Sequence, residues 1–199
     1  MHPRLSDFYR NRRVLVTGHT GFKGSWLTQW LLIMEAQVHG FALDPQPHEL
    51  LFDQLQLAPQ LASDTRADVR DLAAVRQTIE RIEPEIVFHL AAQPLVRLSY
   101  EQPVDTFNIN VMGTIHVLEA IRLSKRPIAC VAVTTDKCYE NREWLHAYRE
   151  NDPMGGYDPY SASKGCAELA IAAYRNSYFS NCDRVRLASA RAGNVIGGG

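Results

Sequence analysis

Residues 14–27 read VLVTGHTGFKGSWL, in which a short apolar run meets a turn with a glycine at every third position. The run is typical of a buried strand, and the turn of a strand-to-helix connection. Because they lack side chains, Gly18, Gly21 and Gly24 let the turn tighten and let backbone N–H groups approach a pyrophosphate. The spacing is G-x-x-G-x-x-G rather than G-x-G-x-x-G, so an ordinary glycine cap and turn stays open. The position directly after the first strand favours a nucleotide-binding site.

Further along the chain, short β-branched runs alternate with helical patterns. Strands are predicted at 12–18, 38–43, 64–69, 85–92, 127–135 and 184–192. Helices are predicted at 21–36, 49–57, 71–82, 103–123 and 159–179, the first with Trp26, Trp30 and Ile33 on one stripe. Strands separated by helices imply parallel pairing, and near-continuous apolar strands fit a sheet covered on both faces. The sequence therefore predicts an α/β fold, a doubly wound and mostly parallel Rossmann-type sheet with helices on both faces.

Composition excludes several classes of protein. The 199 residues carry a net charge of −1, with 46% hydrophobic and 22% charged residues. These are globular values, and they give no field that favours nucleic acid or an anionic membrane. No apolar run approaches a membrane span, and scattered cysteines and histidines favour reduced thiols, a cytoplasmic location and no metal site. The ending VIGGG predicts that the chain is the N-terminal part of a longer protein.

Asp44 ends the second predicted strand, twenty residues after Gly24. A carboxylate there can accept hydrogen bonds from an adenosine ribose and would repel a 2′-phosphate. Because no arginine follows it closely, the position favours NAD over NADP, although Asp44-Pro45 can also simply begin a turn. Asp68 and Val69, after the third strand, are candidates to flank an adenine, in a stretch that is also an ordinary helix start.

The stretch GGYDPYSASKG, residues 155–165, places Tyr160 and Lys164 four residues apart in a predicted helix. Positions i and i+4 on a helix are neighbours, so a lysine cation would lie beside the phenol. Such a cation lowers the pKa of tyrosine from its usual value of about 10. That suits a group that takes a hydroxyl proton while hydride leaves the same carbon. Helix packing with a solvated lysine is the alternative that the pair alone leaves open.

Seven segments stand in one order along the chain: TGHTGFKG (17–24), DVRD (68–71), HLAAQ (89–93), N-x-x-G-T (110–114), TTDK (134–137), YSASK (160–164) and RAGNVIG (191–197). In these segments the chain resembles the extended short-chain dehydrogenase/reductase family over almost its whole length. Within that family, GHTGFKGSWL, TTDKCYEN, YRENDPMGG and DPYSASKGCAEL resemble the CDP-glucose 4,6-dehydratases most. The resemblance implies bound NAD and a nucleotide-sugar substrate, CDP-glucose, which would become CDP-4-keto-6-deoxyglucose and water.

The resemblance also implies roles in the reaction. Tyr160, with Lys164, would take the C4 hydroxyl proton while hydride passes to NAD, and Thr135 would bind the C4 oxygen. Water would then leave across C5 and C6, and hydride would return to C6. Asp136 would be the acid if burial raises its pKa, and Lys137 the base if part of it is neutral. Related dTDP-glucose dehydratases have glutamate where Lys137 stands, so the identity of the C5 base stays open. The alternative that Thr135, Asp136 and Lys137 are only a strand end with exposed charges also stays open.

Further contacts follow from the same resemblance. Cofactor contacts are expected from Gly18, Thr20, Gly21, Phe22, Lys23, Gly24, Asp44, Asp68, Val69, Leu90, Ala91, Ala92, Gln93, Tyr160 and Lys164. Substrate contacts are expected from Gln93, Arg97 and Asn194, although a salt bridge at a helix entry explains Arg97 about as well. Asn110 is expected to hold loop backbone rather than ligand.

Two other functions stay open. A nucleotide-sugar 4-epimerase uses the same NAD, tyrosine and lysine but needs no acid–base pair for water loss, so Asp136-Lys137 separates the two. Residues 1–199 are expected to be an NAD-binding domain that carries the catalytic residues without the family's C-terminal substrate-binding domain. They could therefore act as a module without turnover. The family pairs its long helices, here 103–123 and 159–179, which implies a homodimer or higher homo-oligomer.

Overall fold

The computed structural model describes residues 4–45 and 51–198. In that part of the chain six strands form one sheet in the order β3-β2-β1-β4-β5-β6, and every pairing is parallel. The strands are β1 Arg13–Thr17, β2 Gln37–Ala42, β3 Ser63–Arg66, β4 Ile86–His89, β5 Ile128–Thr135 and β6 Val185–Ala192. The order reverses between β1 and β4, so the predicted doubly wound Rossmann-type sheet is confirmed.

The helices connect the strands as crossovers. In chain order they are α1 Leu5–Tyr9, α2 Phe22–Ile33, α3 Leu51–Gln54, α4 Leu72–Ile82, α5 Val96–Glu101, α6 Pro103–Phe107, α7 Gly113–Leu123 and α8 Pro159–Tyr174. Two π-helical segments, Asn108–Met112 and Arg175–Phe179, join α6 to α7 and extend α8, so both predicted long helices are confirmed. Short 3₁₀ turns cover Ala58–Gln60 and Asp136–Cys138. Positions 49 and 50 of the predicted 49–57 helix lie outside the described residues.

The sheet is covered on both faces because its central strands are apolar on both sides. Along β1, Leu15 packs into the cluster beneath α4 and α7, while Val14 and Val16 pack into the cluster beneath α2. The predicted helix start at Asp71 is confirmed, since its carboxylate accepts the Ala74 N–H at 3.1 Å. None of the helices in the described ranges is long and apolar enough to cross a membrane.

The apolar stripe on α2 does not face the sheet. Trp26, Trp30 and Ile33 are exposed, and the buried positions are Gly24, Ser25, Thr28 and Leu31. At the start of α2 the close approach to the glycine turn leaves no room for a side chain at Gly24. Further along the helix, Leu31 packs into the core.

Candidate active site

A cleft of about 520 Å³ opens at the carboxyl ends of the strands. It spans the point between β1 and β4 where the strand order reverses, which is where open parallel sheets bind ligands. Most of the predicted residues line it: Gly18, Thr20, Gly21, Phe22, Lys23, Gly24, Asp44, Asp68, Val69, Leu90, Ala91, Ala92, Thr135, Lys137, Tyr160, Lys164 and Asn194. Gln93, Arg97 and Asp136 do not belong to its described lining.

The glycine turn forms one end of the cleft, and its backbone requires the missing side chains. Gly18 has a φ of +74°, and a Cβ there would lie 2.7 Å from the backbone nitrogen of Ala91. A Cβ on Gly24 would lie 2.0 Å from the Gly18 carbonyl oxygen. Gly21 precedes the first turn of α2, and no described side chain caps that turn. Its backbone N–H groups and the helix dipole therefore offer a cradle for an anionic group.

A positive charge that the sequence pattern did not indicate, that of Arg66, lies near the end of β2. The Asp44 side chain is 87% exposed, and Nη1 of Arg66 lies 3.8 Å from its Oδ1. Arg66 comes from the end of β3, which pairs with β2 through Ala42 and Arg66, and it also binds Asp64 at 2.7 Å. An arginine is therefore near Asp44 in space, which weakens the repulsion of a 2′-phosphate that we predicted from sequence alone.

Asp68 lines the cleft with its carboxylate already bound to Arg70. Oδ1 accepts the backbone N–H of Arg70 at 2.8 Å, and Oδ2 accepts from its guanidinium at 2.7 Å. The hydrogen bond from the Arg70 side chain lowers the pKa of Asp68, against the opposing effect of burial. Asp68 is thus an anion that holds the loop after β3.

A buried histidine fixes the wall after β4. Burial, with a smaller effect of Lys164, lowers the pKa of His89 to about 3, so its ring is neutral. The Thr114 hydroxyl donates to the Asn110 carbonyl oxygen at 2.7 Å, so His89 Nε2 is the donor to Thr114 at 3.1 Å. His89 Nδ1 then accepts from Thr17 at 2.8 Å. Thr17 in turn accepts the N–H groups of Leu90 and Ala91, which sets the backbone that faces the cleft.

Gln93 turns away from the cleft, contrary to the predicted contacts with cofactor and substrate. Its side-chain amide is buried and donates to the Thr106 hydroxyl at 2.9 Å, because a buried amide needs a partner. Asn110 pairs with the backbone N–H and carbonyl of Gln93 at 2.9 and 3.1 Å and so holds the loop, as expected. Arg97 is exposed on α5, and within the described residues it forms no salt bridge.

The proton-transfer pair lies in the first two turns of α8. Asp158 caps this helix by accepting the Ser161 N–H at 2.9 Å, and Pro159 occupies its first position. Tyr160 and Lys164 are both buried and both line the cleft, next to Thr135 at the end of β5. The i and i+4 spacing has therefore placed them on one face, as predicted.

Burial has a larger effect on this pair than the predicted attraction between them. It raises the pKa of Tyr160, opposed by the Thr135 hydroxyl and reinforced by the Asp136 and Asp158 carboxylates. Burial and the Lys23 cation together lower the pKa of Lys164 to about 8, opposed by Glu168. Both groups therefore shift toward their neutral forms, whereas the sequence led us to expect a Tyr160 pKa below its usual value.

Asp136 and Lys137 form the 3₁₀ turn that directly follows β5, and both are exposed. The Thr135 hydroxyl donates to Asp136 Oδ1 at 3.0 Å and accepts the Lys137 N–H at 3.3 Å. Among the described residues none covers these two side chains, whereas we expected both to be buried. Within that part, no three His, Cys, Asp or Glu side chains group as a metal site would.

Two charged residues behind the cleft escaped sequence analysis. Glu168, one turn after Lys164, is buried and binds Arg191 of β6 at 3.1 Å. Arg191 lies inside the RAGNVIG segment, and Glu168 stands four residues after Lys164. The i, i+4 spacing from Lys164 was the available signal for Glu168, but no sequence pattern indicated that it pairs with Arg191 on β6.

Comparison with known proteins is consistent with this geometry. A sequence model of the family described as GDP-mannose 4,6 dehydratase matches residues 15–189. A CDP-glucose 4,6-dehydratase of Salmonella typhimurium is 56% identical over 197 residues, which are 97% of this chain and 55% of that protein.

Two solved structures share the fold closely. UDP-glucose 4-epimerase from Thermus thermophilus, in complex with NAD, aligns with a TM-score of 0.75 at 30% identity over 90% of this chain and 54% of its own. A dTDP-glucose 4,6-dehydratase from Streptomyces venezuelae, with NAD and TYD bound, aligns with a TM-score of 0.74 at 25% identity over 89% and 55%. The chain spans about half the length of these relatives. Its matched residues, fold and identity to the Salmonella protein confirm the predicted short-chain dehydrogenase/reductase relationship and show that the chain belongs to the GDP-mannose 4,6 dehydratase family.

Proposed function

We propose that this chain is the cofactor-binding and catalytic part of a nucleotide-sugar 4,6-dehydratase that converts CDP-glucose to CDP-4-keto-6-deoxyglucose and water. The observation that carries the proposal is the meeting of Thr135, Tyr160 and Lys164 in the cleft that the glycine turn opens. The 56% identity to the Salmonella CDP-glucose enzyme supports this choice of sugar nucleotide.

The cleft suits NAD, which is bound in both similar solved structures. The side-chain-free cradle at Gly18 and Gly24 would hold its pyrophosphate, and Asp44 would accept hydrogen bonds from its adenosine ribose. When bound, NAD supplies the acceptor that oxidises C4 of the sugar and the donor that later reduces C6.

The residues of this chain then move the protons. Tyr160 takes the proton of the C4 hydroxyl, and the nearby Lys164 cation stabilises the phenolate that this requires. The Thr135 hydroxyl, which lowers the pKa of Tyr160 against the effect of burial, hydrogen-bonds the C4 oxygen. The resulting 4-keto group makes the C5 proton acidic.

Loss of water needs a base at C5 and an acid at C6. Lys137 lines the cleft and is the group we assign to the C5 proton, while Asp136 donates a proton to the departing C6 hydroxyl. Both side chains are exposed, so the bound sugar itself would have to remove water from around them.

Selection of the nucleotide lies mainly outside these residues. Because the relatives are about twice as long, we infer that the remaining part of the full-length protein grips the base and part of the sugar. Asn194 at the cleft edge would contact the diphosphate from this part. The four free cysteines support a reducing, cytoplasmic setting.

We also infer a homodimer. One large apolar side chain is exposed on each of α6 and α8, Val104 at 72% and Leu169 at 62%. On α8 the exposed positions Cys166, Leu169 and Ala173 recur at helical spacing, as expected of a helix face that packs against another helix.

The proposal is tested by incubating the full-length protein separately with CDP-, dTDP-, UDP- and GDP-linked glucose and following the mass of each sugar. We expect loss of one water from CDP-glucose alone. The double variant Asp136→Asn, Lys137→Met should then stop water loss while C4 oxidation stays detectable by NADH absorbance. Unchanged mass with an altered C4 configuration would identify a 4-epimerase, the activity of the Thermus neighbour. Dehydration by the double variant would contradict the assigned acid and base.

A further inference from the structure

An ion pair between the buried Glu168 and the partly buried Arg191 lies behind the reactive residues. Glu168 lies on the same face of α8 as Lys164 and Tyr160, one and two turns further on. Glu168 is 2% exposed, and neither Glu168 nor Arg191 belongs to the described lining of the cleft. The proposed chemistry gives neither residue a part.

The Glu168 carboxylate joins α8 to the ends of two strands. Oε1 accepts from the hydroxyl of Thr134, the residue before Thr135 on β5. Oε2 accepts from Ser189 at 3.0 Å and from Arg191 Nη2 at 3.1 Å, both on β6. The helix that carries Tyr160 and Lys164 is thus tied to the strand that ends in Thr135.

Arg191 joins the same point to the long loop between β5 and α8. Its Nη1 donates to the Tyr139 hydroxyl at 2.8 Å and to the Glu150 carbonyl oxygen at 2.9 Å. Its guanidinium also lies 4.9 Å from the centre of the Tyr139 ring. The loop begins with Asp136 and Lys137. Two backbone hydrogen bonds of 2.9 Å close its base, from the Glu140 N–H to the Pro153 carbonyl oxygen and from the Gly155 N–H to the Cys138 carbonyl oxygen.

We propose that Glu168 and Arg191 are positioning residues that hold the strand end, the Asp136–Lys137 turn and the reactive face of α8 in one arrangement. This rests on the proposed dehydratase, because it assigns the pair to that site. A fork-shaped guanidinium can meet a carboxylate and two loop acceptors at once, which a lysine ammonium on a flexible stem cannot do with the same geometry. Misplacement of a reacting group by about 1 Å can cost a factor of about 100 in rate.

The charge of Glu168 also reaches Lys164. The charged or titratable groups around Lys164 are Lys23 of α2, His89 of β4, and Tyr160 and Glu168 of its own helix. Of these, Glu168 raises the pKa of Lys164, whereas burial and Lys23 lower it. Removing the negative charge should therefore lower that pKa further and deprotonate Lys164 at a lower pH.

The first test uses two arginines on one strand of the full-length protein. Arg191→Lys keeps the charge and loses the fork, and Arg186→Lys makes the same change in an exposed pair with Asp183. We expect hydrogen exchange of the 139–156 amides to become about tenfold faster, and kcat to fall about 10- to 100-fold, only in Arg191→Lys. Equal exchange in the two variants would overturn the proposal. Hydrogen exchange needs no turnover, so it tests the positioning role even if the protein dehydrates no nucleotide sugar. Faster exchange in Arg191→Lys without any dehydration by the parent would contradict the proposed function and leave the positioning role standing.

The second test measures the effect of the Glu168 charge on Lys164. In Glu168→Gln the basic limb of the pH profile of kcat should move to lower pH, and in Glu168→Asp, which keeps the charge, it should move back toward that of the parent. A merely structural role would lower kcat without moving the limb. Coincident limbs in Glu168→Gln and the parent would remove Glu168 from the role proposed here.

Discussion

Lys164 is a lysine that the fold buries near a second cation, Lys23. The sequence spacing predicted its place on the face of Tyr160, because helix geometry depends on local residues alone. It did not predict that burial would shift both groups toward neutrality, because burial depends on elements distant in sequence. The same holds for Arg66, which reaches Asp44 through the pairing of β2 with β3.

The buried charge of Lys164 should cost stability in a pH-dependent way. Its pKa falls from 10.5 in the unfolded chain to about 8 in the folded one. Below pH 8 both states are protonated and the full cost is present, whereas between pH 8 and 10.5 the unfolded chain binds more protons and folding becomes more favourable. Lys164→Met should therefore raise the free energy of unfolding at pH 7 by up to about 3 kcal/mol, with a smaller gain as the pH rises above 8.

Urea unfolding of the purified protein at pH 7, 9 and 10 measures this difference. Lys125→Met, at an exposed lysine, is the matched control and should change little at any pH. A Lys164→Met variant less stable than the parent at pH 7, or a gain that does not vary with pH, would contradict the shifted pKa. Turnover should be lost in Lys164→Met in either case.

Among the elements, five strands and the main helices followed from hydrophobic period and turn residues, whereas β3, predicted at 64–69, is the polar segment Ser63–Arg66. The glycine turn was recognisable from its regular glycine spacing, and two of its glycines, Gly18 and Gly24, stand where a Cβ would meet backbone atoms. The short helices α1 and α5 were not predicted, since five or six residues are too few to show a helical period. The orientation of α2 was not predicted either, because three of its four buried residues, Gly24, Ser25 and Thr28, are small or polar.

The close approach within the turn gives an element-scale prediction. In Gly24→Ala the new Cβ would lie 2.0 Å from the Gly18 carbonyl oxygen, so the turn or the start of α2 must shift. We expect a loss of stability of about 1–3 kcal/mol and NAD binding weaker by at least about tenfold. Thermal unfolding and NAD titration by protein fluorescence measure the two effects.

Gly155→Ala is the matched control for this turn, because its Cβ would meet Glu140 at an ordinary 3.6 Å. It should leave both stability and NAD binding nearly unchanged. If Gly24→Ala also bound NAD with the affinity of the parent, the turn would not be the pyrophosphate cradle.

At the scale of the whole molecule, the exposed Val104 on α6 and Leu169 on α8 predict that two copies of the protein associate. Leu169→Glu places a charge in the proposed helix–helix contact, whose burial without a partner is strongly unfavourable. We expect sedimentation equilibrium to show a dimer for the full-length parent and mainly monomer for Leu169→Glu. Leu145→Glu, at a leucine fully exposed on the long loop, should stay dimeric. A dimer that survives Leu169→Glu unchanged would place the interface elsewhere.

The central claim is an internal oxidation and reduction around the loss of water, and an isotope follows it directly. The full-length protein is given CDP-glucose that carries deuterium at C4, and the product is analysed by mass spectrometry and NMR. We expect a 4-keto-6-deoxy sugar that has lost one water and carries the deuterium on C6. Loss of water with no deuterium at C6, or deuterium kept at C4 with an altered configuration there, would contradict it.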